Sequence, residues 1–317
     1  MRFRVALGRS SLEIVPLAVG CWAWGDQEYW GYEKGHGPRD VVDAFDACLD
    51  AGLELFDTAE AYAWGKGERI LGSLARRSGR ALAIATKYAP LAGRGGAAAI
   101  RKGLAGSLKR LGVERIDLYQ LHWADTDEAP IAAAMDVFAD AVHAGHVRAV
   151  GVSNFRASEM REAHAALARR GVPLATNQVH YSLLHRSPEV DGVLEACREL
   201  DVTLLAYSPL EQGLLTGTYT AASLPSGKRA EAVWFSASNV AAAQPVIEAL
   251  RTSADAHGVE PAAVAIAWLL AKPGVVPIAG AKTGVQAAQN AKAVDVTLSQ
   301  AEVARLDAAT EPWRVAR

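Results

Sequence analysis

The sequence predicts a (β/α)8 barrel preceded by a β-hairpin. Three observations carry this. Eight short apolar runs alternate with amphipathic helical segments at a repeat of about 30 residues. The runs are continuously apolar, as in parallel strands covered by helices. At the N-terminus, Phe3–Leu7 and Leu12–Val15 flank Gly8-Arg9-Ser10-Ser11, the pattern of a hairpin outside that alternation. A doubly wound sheet is the competing architecture. The count of eight and the hairpin favour the closed barrel, which a chain of 317 residues can build as one domain spanning residues 1–317.

The elements follow in order. Leu17–Cys21 reads as the first barrel strand and opens into a loop with Trp22, Trp24, Tyr29, Trp30 and Tyr32. Helix Arg39–Ala51 stops at Gly52, a natural C-terminal glycine. Strand Leu53–Asp57 precedes helix Lys66–Arg77, and strand Leu82–Lys87 precedes helix Ala97–Leu111. Strand Ile116–His122 pairs with helix Pro130–Ala144, Val147–Asn154 with Ala157–Arg170, and Leu174–Gln178 with Pro188–Leu200. Strand Val202–Ser208 leads into a long connection. It holds a loop, Gly213–Ala230, and helices Gln244–Ala256 and Pro261–Leu270. Strand Val275–Ala279, helix Thr283–Ala293 and an outer helix Ser299–Ala308 complete the chain, so extra C-terminal helices accompany the barrel. Long loops at the top of a barrel are usually lids or binding loops.

Composition excludes several classes. A net charge of -2 gives no reason to expect nucleic acid or an anionic membrane. The longest apolar stretch, Ala262–Ala271, is too short to span a bilayer, and no signal-peptide core is present. Cys21, Cys48 and Cys197 suggest neither a disulfide framework nor a metal site, and therefore a cytoplasmic protein. Gly93-Arg94-Gly95-Gly96-Ala97-Ala98 fits a dinucleotide fingerprint by spacing, but it begins too far beyond its strand to form the required tight turn.

The strand ends carry the chemistry. The C-terminal ends of barrel strands face one cavity. Here they present Asp57, Lys87, His122, Ser153-Asn154, Gln178 and Tyr207-Ser208, with Tyr62 in the loop above Asp57. Asp57 paired with Lys87 avoids burying either ion alone. A free tyrosine has a pKa of about 10, and a nearby ammonium can lower it by roughly 1–3 units. Tyr62 is then a proton donor aimed at a carbonyl oxygen that His122 also hydrogen-bonds. No activated Ser or Cys nucleophile and no metal cluster is evident, so a hydride from a nicotinamide fits. Asn154 and Gln178 match a carboxamide, and Tyr207 offers a ring for stacking. Gly280-Ala281-Lys282-Thr283 leads into a helix whose start attracts phosphate. Trp22, Trp24, Tyr29, Trp30, Trp64 and Trp123 lie in loops or at a strand end, where they would line a pocket for a flat apolar substrate. Packing against one another is the alternative.

Five segments resemble signatures of the aldo-keto reductases: F-D-T-A-E-A-Y at Phe56–Tyr62, R-L-G-V-E-R-I-D-L-Y-Q-L-H-W at Arg110–Trp123, G-H-V-R-A-V-G-V-S-N-F at Gly145–Phe155, N-Q-V-H-Y at Asn177–Tyr181 and L-A-Y-S-P-L at Leu205–Leu210. The resemblance covers nearly the whole chain. It implies a catalytic tetrad of Asp57, Tyr62, Lys87 and His122, with Tyr62 as general acid. It implies Ser153, Asn154 and Gln178 at the nicotinamide carboxamide and Tyr207 on its ring. Ser208, Pro209 and Leu210 would lie along ribose and pyrophosphate, and Lys282, Thr283, Gln286, Gln289 and Asn290 at the adenosine end. The implied activity is NADPH-dependent reduction of small aldehydes and ketones, with NADH as the alternative cofactor. The channel-associated branch implies a second possibility, a nucleotide-binding regulatory subunit with little turnover. A Schiff-base aldolase using Lys87 is disfavoured because Asp57 would keep the amine protonated. Lys282 is the single cation of the adenosine motif, and no Asp or Glu lies between Gly280 and Asn290. Oligomeric state leaves no mark in the sequence.

Overall fold

The computed structural model describes residues 3–91, 93–124, 130–220 and 222–316. A hairpin of β1 (Val5–Ala6) and β2 (Glu13–Ile14) precedes eight parallel strands. These are β3 (Ala18–Gly20), β4 (Leu55–Asp57), β5 (Ala83–Tyr88), β6 (Ile116–Leu121), β7 (Val147–Ser153), β8 (Leu174–His180), β9 (Thr203–Tyr207) and β10 (Val275–Gly280). They close in sequence order, β10 returning to pair with β3. The expected barrel and hairpin are therefore present. No helix of the described residues is long and apolar enough to cross a membrane.

The barrel interior changes character from bottom to top. Leu7, Leu12 and Ile14 of the hairpin join Ala18, Leu55, Ala85, Leu118, Leu205 and Val276 in one buried apolar cluster, so the hairpin plugs the lower mouth. Gly8 makes the plug possible: its φ is +52°, and a Cβ there would meet the Ala175 carbonyl at 2.7 Å. Above the plug the interior is polar. Register places Lys87 beside Gln120, Ser153 beside Gln178 and His180 beside Tyr207. Side chains alternate along a strand, so this register decides which polar groups share the upper cavity.

Most element boundaries lie within a residue or two of the sequence reading, and the larger or functionally relevant differences are these. β8 runs on to His180. The segment expected as one helix from Pro188 is a 3₁₀ turn at Ser187–Glu189 followed by Val193–Leu200, because Gly192 takes the left-handed conformation at φ +85°. The helix expected from Gln244 begins at Ala237, where the Ser236 hydroxyl accepts from the Asn239 amide, and it carries Pro245 inside rather than in its first turn. Between β9 and that helix the chain forms 3₁₀ turns at Glu211–Thr216, Gly227–Glu231 and Val233–Phe235. This connection is a strap along one side of the upper mouth.

Candidate active site

The floor of the cavity is a buried ion pair. Lys87, fully buried, donates from Nζ to Asp57 Oδ1 at 2.5 Å, to the Thr58 carbonyl at 2.8 Å and to the Tyr62 hydroxyl at 3.3 Å. Asp57 Oδ2 accepts from Gln178 Nε2 at 3.0 Å and from Gln120 Nε2 at 3.3 Å. Burial alone would lower the Lys87 pKa, but Asp57 and Tyr62 outweigh it and the net direction is upward. The Tyr62 pKa is also raised, contrary to the sequence expectation. Burial is the largest cause, and the Lys87 ammonium opposes it without overcoming it. Asp57, paired with Lys87 at 2.5 Å, adds to the upward direction by opposing part of the ammonium's effect. Tyr62 in this state is a protonated phenol. His122, just past β6, is pushed down to about 3 by burial and then by the Lys87 charge, so its imidazole is neutral. Its ring meets that of Tyr62 edge-on at 5.9 Å, and its buried Nδ1 has no hydrogen-bond partner among the described residues.

The loop bearing Tyr62 is strained and clamped. Ala63 and Trp64 have φ of +46° and +55°, and Gly65 follows at +79°. A left-handed non-glycine residue costs roughly 1–2 kcal/mol. Two carboxylates hold the ends of this turn. Glu60 accepts from the Ala89 amide at 2.9 Å and from Arg94 at 2.9 and 3.1 Å. Glu68, fully buried, accepts from the Thr86 hydroxyl at 2.7 Å and Arg110 Nε at 2.5 Å.

The predicted residues divide by position. A cavity of about 590 Å³ is lined by Asp57, Tyr62, His122, Ser153, Asn154, Gln178, Tyr207, Ser208, Pro209, Leu210, Lys282, Gln286, Gln289 and Asn290. Lys87 lies beneath the lining, and Thr283 caps the helix Gly284–Ala291 by accepting from the Gln286 amide at 3.3 Å. Both amide hydrogens of Gln178 are committed, to Asp57 and to Gln120 Oε1, which leaves its carbonyl oxygen for a ligand. Asn154, at φ +59°, donates to the His122 carbonyl and to Ser153 Oγ, and accepts from the Tyr207 hydroxyl at 3.0 Å. Burial pushes the Tyr207 phenol up to about 12.

Of the six aromatic residues expected around the substrate, Trp22 and Trp30 line the cavity. The other four stand elsewhere. Trp24 is wholly buried among Phe45 and Phe56 and donates its indole N–H to the Ala281 carbonyl at 2.9 Å. Tyr29 backs Trp22, ring on ring at 5.1 Å, and its hydroxyl donates to Gln212 at 2.5 Å. Trp64 is 84% exposed, carried outward by the left-handed turn. Trp123 packs against His122 at 4.7 Å without lining the described cavity.

The strap contributes residues that the sequence reading missed. Gln212, Gly213, Thr216, Thr218, Tyr219 and Arg229 line the cavity, as does Glu260 from the start of helix Pro261–Leu270. Arg229 is 8% exposed and has no carboxylate partner among the described residues. Its guanidinium donates to the Gln212 carbonyl at 3.0 Å and the Tyr219 hydroxyl at 2.7 Å, and it lies over the rings of Trp30, Tyr219 and Phe235. Lys282 also lies over Trp30, 5.7 Å from its ring centre, and its pKa is lowered by burial and then by Arg229. Lys282 is therefore not the only cation in the wall. Arg229 Nε and Trp30 Nε1 are buried donors without partners among the described residues. Its place in an aperiodic loop is why no sequence pattern marked Arg229.

Comparison with known proteins accords with this geometry. A model of the aldo/keto reductase family matches residues 16–311. The chain is 33% identical over 312 residues to the chloroplastic pyridoxal reductase of Arabidopsis thaliana, covering 95% of this chain and 84% of that one. It is 30% identical over 322 residues to the NADH-specific methylglyoxal reductase of Escherichia coli, covering 94% and 95%. It is also similar to the crystal structure of an aldo-keto reductase from Klebsiella pneumoniae in complex with NADPH, at a TM-score of 0.75 and 27% identity over 98% of this chain and 95% of that chain. A family-wide match of this extent, on a closed eight-stranded barrel with a polar upper cavity, places the chain in the aldo/keto reductase family of oxidoreductases.

Proposed function

We propose that the protein reduces small aldehydes or ketones to alcohols with NADPH, Tyr62 acting as general acid. The observation that carries this is the line Asp57–Lys87–Tyr62, which runs from a buried carboxylate to a protonated phenol at the cavity, with neutral His122 beside it. When bound, the dinucleotide supplies hydride to the carbonyl carbon. The rest is done by the chain. His122, being neutral, donates a hydrogen bond to the carbonyl oxygen without placing a second full positive charge beside Lys87. Tyr62 delivers its proton to that oxygen as negative charge develops there. Lys87 at 3.3 Å stabilises the phenolate left behind, and Asp57 with its two glutamine donors fixes Lys87.

The residues present fit a dinucleotide. Two cations, Arg229 and Lys282, line one cavity, a donor set suited to phosphate. Gln178 keeps a carbonyl oxygen and Tyr207 a ring for the carboxamide end. Arg229 and Lys282 together support the phosphorylated dinucleotide. A second reading has its own support: Glu260 lines the same cavity as Gln286 and Gln289, and a carboxylate there would chelate a ribose diol and favour NADH. Titration of both cofactors, followed by a carbonyl panel monitored at the nicotinamide absorbance, tests the proposal. Tight NADPH binding with no oxidation by any aldehyde would point instead to a regulatory nucleotide-binding role.

A further inference from the structure

One buried acid lies behind the cofactor wall and has no part in the mechanism above. Glu211 is fully buried, yet every other residue from Ser208 to Gly213 lines the cavity. The backbone of this stretch is strained. Ser208, Glu211 and Gln212 have φ of +53°, +44° and +54°, and Gly213 follows at +102°. Something must hold such a run in place, because each left-handed non-glycine residue opposes it. The Glu211 side chain points away from the cavity to the end of β8. Its Oε1 accepts from the Ser182 hydroxyl and lies 2.8 Å from His180 Nε2. Its Oε2 has no partner among the described residues. A buried carboxyl group with one oxygen unsatisfied costs stability. The partners of its other oxygen, His180 and Ser182, would lose that contact to an apolar residue, so the reason for a carboxyl group here lies with them.

His180 supplies that reason. Its ring is stacked between Tyr207, at 5.2 Å and 16°, and His185, at 3.9 Å and 11°, with Trp234 edge-on at 5.5 Å. Tyr207 is the ring that faces the cavity. One carboxyl group therefore grips two things at once: the strained turn 208–213 and the imidazole that backs Tyr207.

We propose that Glu211 is a positioning residue for the nicotinamide half of the cofactor, acting through His180 on the Tyr207 ring and through its own backbone on the 208–213 turn. This rests on the dinucleotide reading. The adenosine end has residues of its own, Lys282 and the helix Gly284–Ala291, and depends less on this turn, which reaches it through the hydrogen bond from Arg229 to the Gln212 carbonyl. The test is calorimetric titration of NADPH and of 2′,5′-ADP, which lacks the nicotinamide half, into wild type, Glu211→Ala, Glu211→Gln and His180→Phe. Glu211→Ala is expected to lose about tenfold or more in NADPH affinity and distinctly less in 2′,5′-ADP affinity. Glu211→Gln keeps length and an acceptor for Ser182 and should recover most of the loss. His180→Phe keeps a flat ring but loses the handle to Glu211, and should show a smaller loss with the same selectivity. Unchanged NADPH affinity, or equal losses for both ligands, in Glu211→Ala would overturn the assignment. Should that variant not fold, the same two results in His180→Phe would overturn it. A wild type that binds neither ligand would instead remove the dinucleotide reading itself.

Discussion

The floor and the strap of the upper cavity are built on opposite principles. On the floor, Asp57, Lys87, Gln120 and Gln178 come from β4, β5, β6 and β8, and the barrel register alone brings them into contact. Charge there is cancelled within 2.5 Å by charge. On the strap, Arg229 is brought to the cavity by an aperiodic loop. Rings and a carbonyl surround it, with no carboxylate partner among the described residues. A charge already matched is suited to staying put while chemistry occurs above it. A charge left unmatched is suited to meeting a ligand of opposite sign. The floor should therefore govern the rate of the chemical step, and the strap the binding of the anionic cofactor.

Lys87→Met should cause the largest damage. It leaves Asp57 buried without its cation, which costs roughly 3–5 kcal/mol of stability, and it removes the stabilisation of the Tyr62 phenolate. Turnover should fall by more than in any strap variant, and thermal melting should reveal the lost stability. A mutant that melts like wild type would mean that the pair, although buried, is not holding the floor together.

Tyr62→Phe should lower turnover by about 10²–10⁴ while leaving cofactor affinity nearly unchanged. The pH dependence follows from the same group. Burial holds the phenol above its ordinary value, so the proton needed for reduction is present until the pH rises through that raised pKa. His122 charges only near 3. The reduction rate at saturating substrates should then be flat from about pH 5 to about pH 9. A fall beginning near neutrality would show that Lys87 does lower the phenol, as the sequence suggests.

That discrepancy marks how far the sequence could be read. The floor was legible because a strand end fixes a position, and the residue types Asp, Lys and His at neighbouring ends do not suit an apolar layer. Its net electrostatics were not legible, because the Asp57–Lys87 pair could be foreseen but the depth at which the Tyr62 phenol is buried, the largest cause of its raised pKa, could not. Among the aromatic residues, Trp22 and Trp24 differ by two positions in one loop, yet one lines the cavity and the other lies in the core. Irregular backbone has no period from which a facing direction can be inferred. Arg229 and Glu211 were missed for the same reason.

Arg229→Met sharpens the division between floor and strap. A charge-assisted hydrogen bond is worth roughly 1.5–3 kcal/mol, or about one to two decades in affinity. NADPH affinity should fall by that much, with turnover at saturating cofactor close to wild type. Lys282→Met should lose NADPH affinity but little NADH affinity, and the wild-type preference should shrink with added salt. If Arg229→Met lowers saturated turnover as severely as Tyr62→Phe, strap and floor are not separable in the way argued.

The smallest effect belongs to Trp64, two residues beyond Tyr62 and 84% exposed. Its nearness in sequence to the phenol suggests a substrate contact, but its φ of +55° and ψ of +43° turn the indole outward. Trp64→Ala should leave the kinetics within about twofold for large and small aldehydes alike, and stability within about 0.5 kcal/mol. Trp64→Gly adds a second measurement. Relief of a left-handed non-glycine residue is worth roughly 1–2 kcal/mol, against a backbone-entropy cost of roughly 0.5–1 kcal/mol for glycine. The glycine variant should therefore melt at or slightly above wild type, with Tyr62 still aimed by the Glu60 and Glu68 clamps on either side of the turn. A selective loss on bulky aldehydes in both variants would place the indole over the substrate and contradict the orientation seen here. A loss of turnover in the glycine variant alone would mean that stiffness at this position, rather than the clamps, aims the phenol.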